Sequence, residues 1–277
     1  MSNKWFSPSL TSRLRTLGAR GLDLLFPPIC ASCDRAGYAL CPFCAQEVEP
    51  VGEPICAHCG RRQTHAVERC SLCALEDEPP LDLVRAATLH RWPLREAIHA
   101  LKYEGRTELA RPLARYLFAV LDSPPWPHLL PRIDAVVPAP LHARRRAERG
   151  YNQATLLARP LCQWTGLPLR TDWLQRTQMT RPQVGLNARE RRANVADAFR
   201  ASPAVRDKTL LLIDDVYTTG ATMTACAAAA KKAGARAVYG LALAQPVRSA
   251  SPAPKPEMQA LVPATPTCPE IEGTKVS

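Results

Sequence analysis

The sequence predicts an α/β protein: a mainly parallel sheet flanked by helices, preceded by a small cysteine-rich module. Three observations carry this. Strand-like and helix-like segments alternate from about residue 81 to residue 245, the order that builds a parallel sheet with helices packed on it. Eight of the eleven cysteines fall between residues 30 and 73, all in CxxC pairs. An apolar run, Leu210–Ile213, delivers two aspartates into a short glycine-containing loop that opens at once into a helix.

The composition bounds the class. A chain of 277 residues suits one medium domain with an appendage, or two small ones. Hydrophobic residues at 46% and charged residues at 22% exclude wholesale disorder. No apolar run approaches the ~18 residues of a spanning helix, and Arg13, Arg15 and Arg20 break the apolar stretch near the N-terminus. The expectation is a cytoplasmic protein with no membrane insertion and no secretory signal. Its 36 Lys+Arg against 25 Asp+Glu leave a net charge of +11, which favours a polyanionic partner, nucleic acid or a phosphate-rich small molecule.

In chain order, residues 1–29 read as an N-terminal helix. Leu10, Leu14, Leu17 and Leu24 share one face, and Pro27 and Pro28 stop it. This face is read as docking onto the body rather than attaching to a membrane. Residues 30–75 form the cysteine module, and the acidic, proline-rich stretch 76–80 marks its boundary. Within 81–245, Leu94–Tyr103, Thr107–Leu121 and Asn152–Trp164 read as helices, and Ile133–Val137 as a buried strand. Leu210–Ile213 is a strand, Thr222–Ala233 an alanine-rich helix ended by Gly234, and Ala237–Leu243 a further strand. Residues 246–277 hold seven prolines and few large apolar residues, so they read as a disordered tail.

The cysteine pairs are Cys30 with Cys33, Cys41 with Cys44, Cys56 with Cys59 and Cys70 with Cys73. A CxxC turn sets two thiolates on one side of a tight loop, half of a tetrahedral site, and sulfur softness favours zinc. Four pairs make two structural Zn2+ sites with no cysteine left over. Sequential pairing is expected: Cys30, Cys33, Cys41 and Cys44 on one ion, the other four on the second. An interleaved arrangement and an iron–sulfur cluster are the alternatives. His58 and His65 are read as exposed loop residues, since four cysteines already satisfy each ion. Cys162 and Cys226, in helix-like runs, read as small buried hydrophobes.

Leu210 to Thr222 reads LLLIDDVYTTGAT. The carboxyl end of a parallel strand is where α/β folds bind ligands. Small loop residues and a helix N-terminus suit a phosphate, and the hydroxyls of Thr218, Thr219 and Thr222 add donors. Asp214 and Asp215 would repel a lone phosphate; they make sense facing sugar hydroxyls or Mg2+. The residues therefore point to a ribose 5-phosphate site, against the blander reading of a capped helix after a strand.

Residues 142–149 hold four arginines, Arg144, Arg145, Arg146 and Arg149, against one glutamate. Such a cluster suits a diphosphate clamp. It equally suits a track for single-stranded nucleic acid, with Tyr151 and Trp164 available for stacking, or a solvated helix face. Arg189, Arg191 and Arg192, with Arg181 upstream, form a second cluster. His90 and His99, at the Leu94–Tyr103 segment, lack a carboxylate partner pattern and are not read as a base. No Ser-His-Asp or Cys-His nucleophile set is apparent.

The acidic loop resembles the phosphoribosyl pyrophosphate (PRPP) motif of type I phosphoribosyltransferases. The wider resemblance, over about residues 22–245, is to the ComF family of competence-associated proteins, also called GntX-like or amidophosphoribosyltransferase-like. It rests on Leu101–Arg106, on Val136–His142 with Arg149–Gln153, and on Arg176–Gln178 through Gln183–Leu186 with Arg189–Arg191 and Asn194. The acidic loop and the paired knuckles complete it. Ala139 departs from the Val expected in a Val-Pro-Val-Pro pattern.

The resemblance implies a type I phosphoribosyltransferase-like domain over 81–245 and a double zinc ribbon over 30–75. It implies that Asp214 and Asp215 bind the ribose hydroxyls, directly or through Mg2+, and that Thr218, Thr219, Gly220, Ala221 and Thr222 hold the 5-phosphate. The loop from Ala139 to Arg146 would meet the pyrophosphate. Arg176, Arg189, Arg191 and Arg192 would lie in a mobile hood. Two functions follow from it: pentosyl transfer from PRPP, or single-stranded DNA binding beside DNA-uptake proteins in natural transformation without transferase activity. A degenerate fold kept as an interaction scaffold is the third reading, and the intact acidic loop weighs against it.

Overall fold

Four parallel strands form the central sheet of the computed structural model, which describes residues 27–75, 78–178 and 198–247. In chain order, the elements begin with a short helix α1 (Pro42–Gln46) in the cysteine module. Then come β1 (Leu83–Leu89), α2 (Leu94–Tyr103), α3 (Ala110–Val120), α4 (Trp126–Leu129) and β2 (Ala135–Pro138). Next are α5 (Ala143–Arg149), α6 (Gln153–Thr165), β3 (Leu174–Arg176) and β4 (Phe199–Ala201). β5 (Thr209–Val216), α7 (Ala221–Lys232) and β6 (Ala237–Gln245) complete the described elements. The sheet order is β1-β6-β5-β2, and β3 and β4 pair antiparallel as a separate ribbon.

The strands read as nearly continuous apolar runs because both faces of the sheet are covered. Val136, Leu211, Ile213, Leu241 and Leu243 face one core, packed by Leu113 of α3 and Leu157 and Leu161 of α6. Ala135, Val137, Leu210, Leu212, Val238 and Ala242 face the other, against Met223, Cys226 and Ala227 of α7. This is the period-two alternation of a strand, read twice over. The alanines of α7 let it lie close to the sheet: a Cβ on Gly240 of β6 would meet Met223 Sδ and Val84 at 3.3 Å.

The long predicted helices and β2, β5 and β6 are present. The strand Leu83–Leu89 was not among the expected elements, and its burial beside β6 supplies one edge of the sheet. Its Arg85 and Thr88 interrupt the apolar run. Thr88 donates to the Leu243 carbonyl at 2.6 Å, and Arg85 donates to the Ala57 carbonyl at 2.8 Å. Both polar groups are spent on tertiary partners, which no local pattern reveals.

The expected N-terminal helix and the tail lie outside the described residues except for 27–29 and 246–247. Among the described residues, no helix is long and apolar enough to cross a membrane.

Candidate functional site

The cysteine module builds two four-sulfur sites, one from Cys30, Cys33, Cys41 and Cys44, the other from Cys56, Cys59, Cys70 and Cys73. The pairing is sequential. In each site the sulfurs lie within 4.8 Å of one another, and Cys33–Cys41, Cys59–Cys70 and Cys70–Cys73 approach to 3.6–3.7 Å. A tetrahedron with Zn–S bonds near 2.3 Å has edges of about 3.8 Å, so the donor set fits structural zinc. Backbone amides already point at the sulfurs, from Cys41 to Cys30 at 3.3 Å and from Cys70 to Cys56 at 3.2 Å. Burial pushes the Cys41 thiol up, but the Cys44 amide and the neighbouring sulfurs outweigh it and bring it down to about 7. Cys70 comes to about 7 similarly, through Cys73.

His58 departs from expectation. It is half-buried rather than exposed, with Nδ1 3.4 Å from Cys73 Sγ and Nε2 2.8 Å from the Leu81 carbonyl. Its second partner lies beyond the module, so CxxC spacing could not show it. His65 is exposed, as expected.

The second feature is a cleft of about 700 Å³ at the carboxyl ends of β2 and β5, lined among others by Ala139, Asp214, Asp215, Thr218 and Thr222. Asp215 is buried, and two side chains and one backbone amide meet the acidic pair. Lys102, in the last turn of α2, forms an ion pair with Asp215. Gln153, the first residue of α6, donates to Asp215 Oδ1 at 3.0 Å. The Asp215 amide donates to Asp214 Oδ1 at 2.9 Å. Burial alone would raise Asp215, but the Lys102 ammonium and these hydrogen bonds hold it below the usual carboxylate range. Burial, then the Asp215 charge, pushes Asp214 well above that range. The two carboxyls are thus split by Lys102, which compensates one of them.

Neither Lys102 nor Gln153 was assigned a role from the sequence, although both stand inside blocks that carry the resemblance. The Gly-Tyr-Asn-Gln block is explained contact by contact. Gly150 ends α5 at φ +80°, which a side chain would resist. Tyr151 donates its hydroxyl to the Leu101 carbonyl at 2.6 Å, tying the block to the end of α2 beside Lys102. Asn152 caps α6 by accepting from the Ala154 amide at 3.0 Å and donates to the Ala139 carbonyl at 2.9 Å.

The arginine cluster is a helix, α5, not a loop. A period of 3.6 residues places Arg145 and Arg149 on one face, and both line the cleft; Arg144 and Arg146 are exposed and do not. Arg144 pairs with Glu148 at 2.9 Å instead. Arg149 lies over the Tyr103 ring at 5.0 Å and donates to Gln153 at 2.6 Å. Arg176 also lines the cleft, from β3, where it is in register with Phe199. Burial, then the nearby Arg145 charge, lowers its pKa; two guanidiniums aimed at one space gain from an anion between them. Arg181, Arg189, Arg191 and Arg192 lie outside the described residues.

Two aromatic and histidine expectations change. Trp164 does not line the cleft; it packs on Phe118 at 5.6 Å and under Arg111 at 5.4 Å. His99 does have a carboxylate, Glu104 at 3.1 Å, in an exposed pair at the end of α2 and outside the cleft lining. Cys226 is fully buried and Cys162 partly so, and burial pushes both thiols up, as befits packing residues.

In the loop between β5 and α7, Gly220 takes φ +84° and caps the start of α7. Thr218 and Thr222 line the cleft, whereas Thr219 accepts the Ala221 amide at 3.3 Å.

Comparisons with known proteins bear on the cysteine module and on the family of the chain. Residues 21–74 match the model of the double zinc ribbon domain. The chain is 32% identical over 214 residues to Competence protein F of Haemophilus influenzae, covering 76% of this chain and 92% of that one. It is 32% identical to the DNA utilization protein YhgH of Escherichia coli K12, over 73% of this chain and 88% of that one. It is 28% identical to Competence protein ComFC of Bacillus subtilis, over 66% of this chain and 74% of the relative. A solved structure of the allosteric regulatory enzyme of purine biosynthesis aligns with a TM-score of 0.32 and 16% identity, over 50% of this chain and 26% of that one. That likeness is too partial to bear on substrate.

Proposed function

The chain belongs to the ComF/competence protein family, and we propose that its cleft binds PRPP with Mg2+ and transfers the phosphoribosyl group, acting in DNA uptake or nucleotide-related metabolism in the cytoplasm. One observation carries this reading. A single cleft holds the acidic pair, the Thr218 and Thr222 side of a loop opening a helix, and Arg145, Arg149 and Arg176. A sugar bearing a phosphate at one end and a diphosphate at the other asks for that separation of charge.

The reaction would break the bond between ribose C1 and the pyrophosphate oxygen, the electron pair leaving with pyrophosphate, while an acceptor lone pair forms the new bond at C1. Such displacement needs positioning and charge stabilisation more than a nucleophile. Mg2+ would neutralise charge on the pyrophosphate. Hard carboxylate oxygens suit that ion, which keeps substrate oxygens and waters in its shell, and Asp214, facing the cleft, is the residue that would hold it. Arg145, Arg149 and Arg176 would receive the diphosphate, and the Thr218–Thr222 loop the 5-phosphate.

Calorimetry of PRPP with and without Mg2+, on wild type and on Asp214→Asn with Asp215→Asn, tests the reading. Mg2+-dependent binding that disappears in the double variant is expected; a zinc-loaded wild type that binds no PRPP refutes it.

A second reading is a single-stranded DNA-binding competence factor with no transferase activity. The relatives named for DNA utilization and competence favour it, as do Arg144 and Arg146 on the exposed side of α5. It requires oligonucleotide affinity that falls steeply with salt and falls again with Arg144, Arg145 and Arg146 changed to Ala.

A further inference from the structure

Arg61 lies in the second zinc ribbon, two residues past Cys59, and is only 6% exposed. Its guanidinium reaches out of the ribbon and into the α/β body. Nη2 donates to the Thr219 carbonyl at 2.8 Å and to the Thr218 carbonyl at 3.4 Å. Nη1 donates to Cys59 Sγ at 3.6 Å. The guanidinium also stacks over the Tyr217 ring at 4.7 Å. The same ring lies against Gly220, where a Cβ would fall 2.8 Å from Cε2 and the hydroxyl oxygen. One side chain thus joins a zinc-ligand sulfur to the backbone of the loop beside the cleft.

The carbonyls it holds matter. In a trans peptide the C=O and the next N–H point in opposite directions. Drawing the Thr218 and Thr219 carbonyls toward Arg61 turns the Thr219 and Gly220 amides away from it, as donors for an anion. A flexible loop would lose entropy on ordering these groups when ligand arrives; a clamped one has lost it already.

We infer that the second zinc ribbon is a positioning device for the Thr218–Thr222 loop, acting through Arg61, so that the ordering of this ribbon sets the loop's affinity for a phosphate monoester. The ligand part rests on the PRPP reading above; the clamp itself does not. Arg61 is a positioning residue. It acts on the loop from behind, and among the described residues the first ribbon has no such link, being docked elsewhere, with Tyr116 of α3 donating to Ala45 at 2.9 Å and Ser32 to Pro93 at 2.8 Å.

Hydrogen exchange on the full zinc-loaded chain reads the clamp directly. The amides of Tyr217, Ala221 and Thr224 are hydrogen-bonded at the ends of the loop. In Arg61→Ala their exchange should rise about tenfold or more, the effect of losing a charge-assisted bond, while β2 amides and zinc content stay as in wild type. Arg61→Lys should fall between, because lysine keeps the charge but not the fork; it is also the variant to read if Arg61→Ala does not fold. Ribose 5-phosphate affinity should fall about tenfold in Arg61→Ala, and pyrophosphate affinity should not, since it is assigned to the arginines across the cleft. Unchanged loop exchange in both variants overturns the clamp, as does an equal rise throughout the sheet. A wild type that binds neither probe would instead sink the PRPP reading, with the exchange result still deciding the clamp.

Discussion

Lys102 and Asp215 are 113 positions apart in number, on α2 and β5, and form an ion pair at the floor of the cleft. With Asp214 adjacent, this ammonium is what allows two carboxyls to sit together in a largely buried place. Burial works against the Lys102 charge, yet the Asp215 carboxylate keeps its pKa above the ordinary lysine value.

Changing Lys102 to Met should therefore destabilise the protein by about 2–4 kcal/mol, because it leaves a buried carboxylate uncompensated. Adding Asp215→Asn should restore part of the loss, since the charge left unpaired is then gone. Urea denaturation of both variants measures this; equal midpoints for wild type and Lys102→Met would show that the pair contributes nothing.

Asp214 sets a pH dependence of the opposite sign to Asp215. Its folded pKa is raised, so the folded chain binds more protons than the unfolded chain between the ordinary carboxylate pKa and the raised value. Stability attributable to it is then present below that window and is lost as pH rises through it. In magnesium-free buffer, Asp214→Asn should be more stable than wild type at neutral pH, with the advantage shrinking as pH falls. Asp215→Asn should be less stable at neutral pH, because its folded pKa is depressed. Thermal melts across pH check both signs.

The helical α5 divides its arginines by face. Arg145→Ala with Arg149→Ala should weaken pyrophosphate binding about tenfold or more, whereas Arg144→Ala should change it less than about twofold. Calorimetric titration distinguishes these. A similar loss from Arg144→Ala would mean that the exposed face of the helix, and not the cleft, meets the anion.

Metal analysis should return two zinc ions per chain, one per four-sulfur site. Cys56→Ser should lower the count toward one and also destabilise the sheet. The second ribbon is bonded to β1, with the Val84 amide donating to the His58 carbonyl at 2.9 Å, and it packs against β6, where Gln245 donates to Gly60 at 3.3 Å. Cys30→Ser, in the ribbon docked on α2 and α3, should disturb the sheet less. Thermal denaturation with zinc quantitation tests the difference; an identical melting profile for Cys56→Ser and wild type would contradict it.

Much of the site was legible because local chemistry announced it. Each CxxC turn sets two thiolates on one side of a tight loop, and the spacing is a property of neighbours. The strand, acidic pair and small-residue loop stand in one continuous stretch, Leu210 to Thr222, so their joint meaning needed no long-range information. The apolar runs of β2, β5 and β6 were legible for the same reason.

What stayed hidden is what depends on distant partners. Arg85 and Thr88 disguised β1, because their polar groups bond to residues far along the chain. Arg144 to Arg149 read equally well as a clamp, a nucleic-acid track or a solvated face until the helix assigned each arginine a side. Neither Lys102 nor Arg61 was assigned a role from the sequence. The sequence by itself determined the metal sites, the strand–loop–helix that carries the carboxyls, and the character of the sheet. Only the tertiary structure decided which cation compensates Asp215 and which ribbon grips the loop, because electrostatic compensation and hydrogen bonding act over ångströms in space and carry no signature in sequence separation.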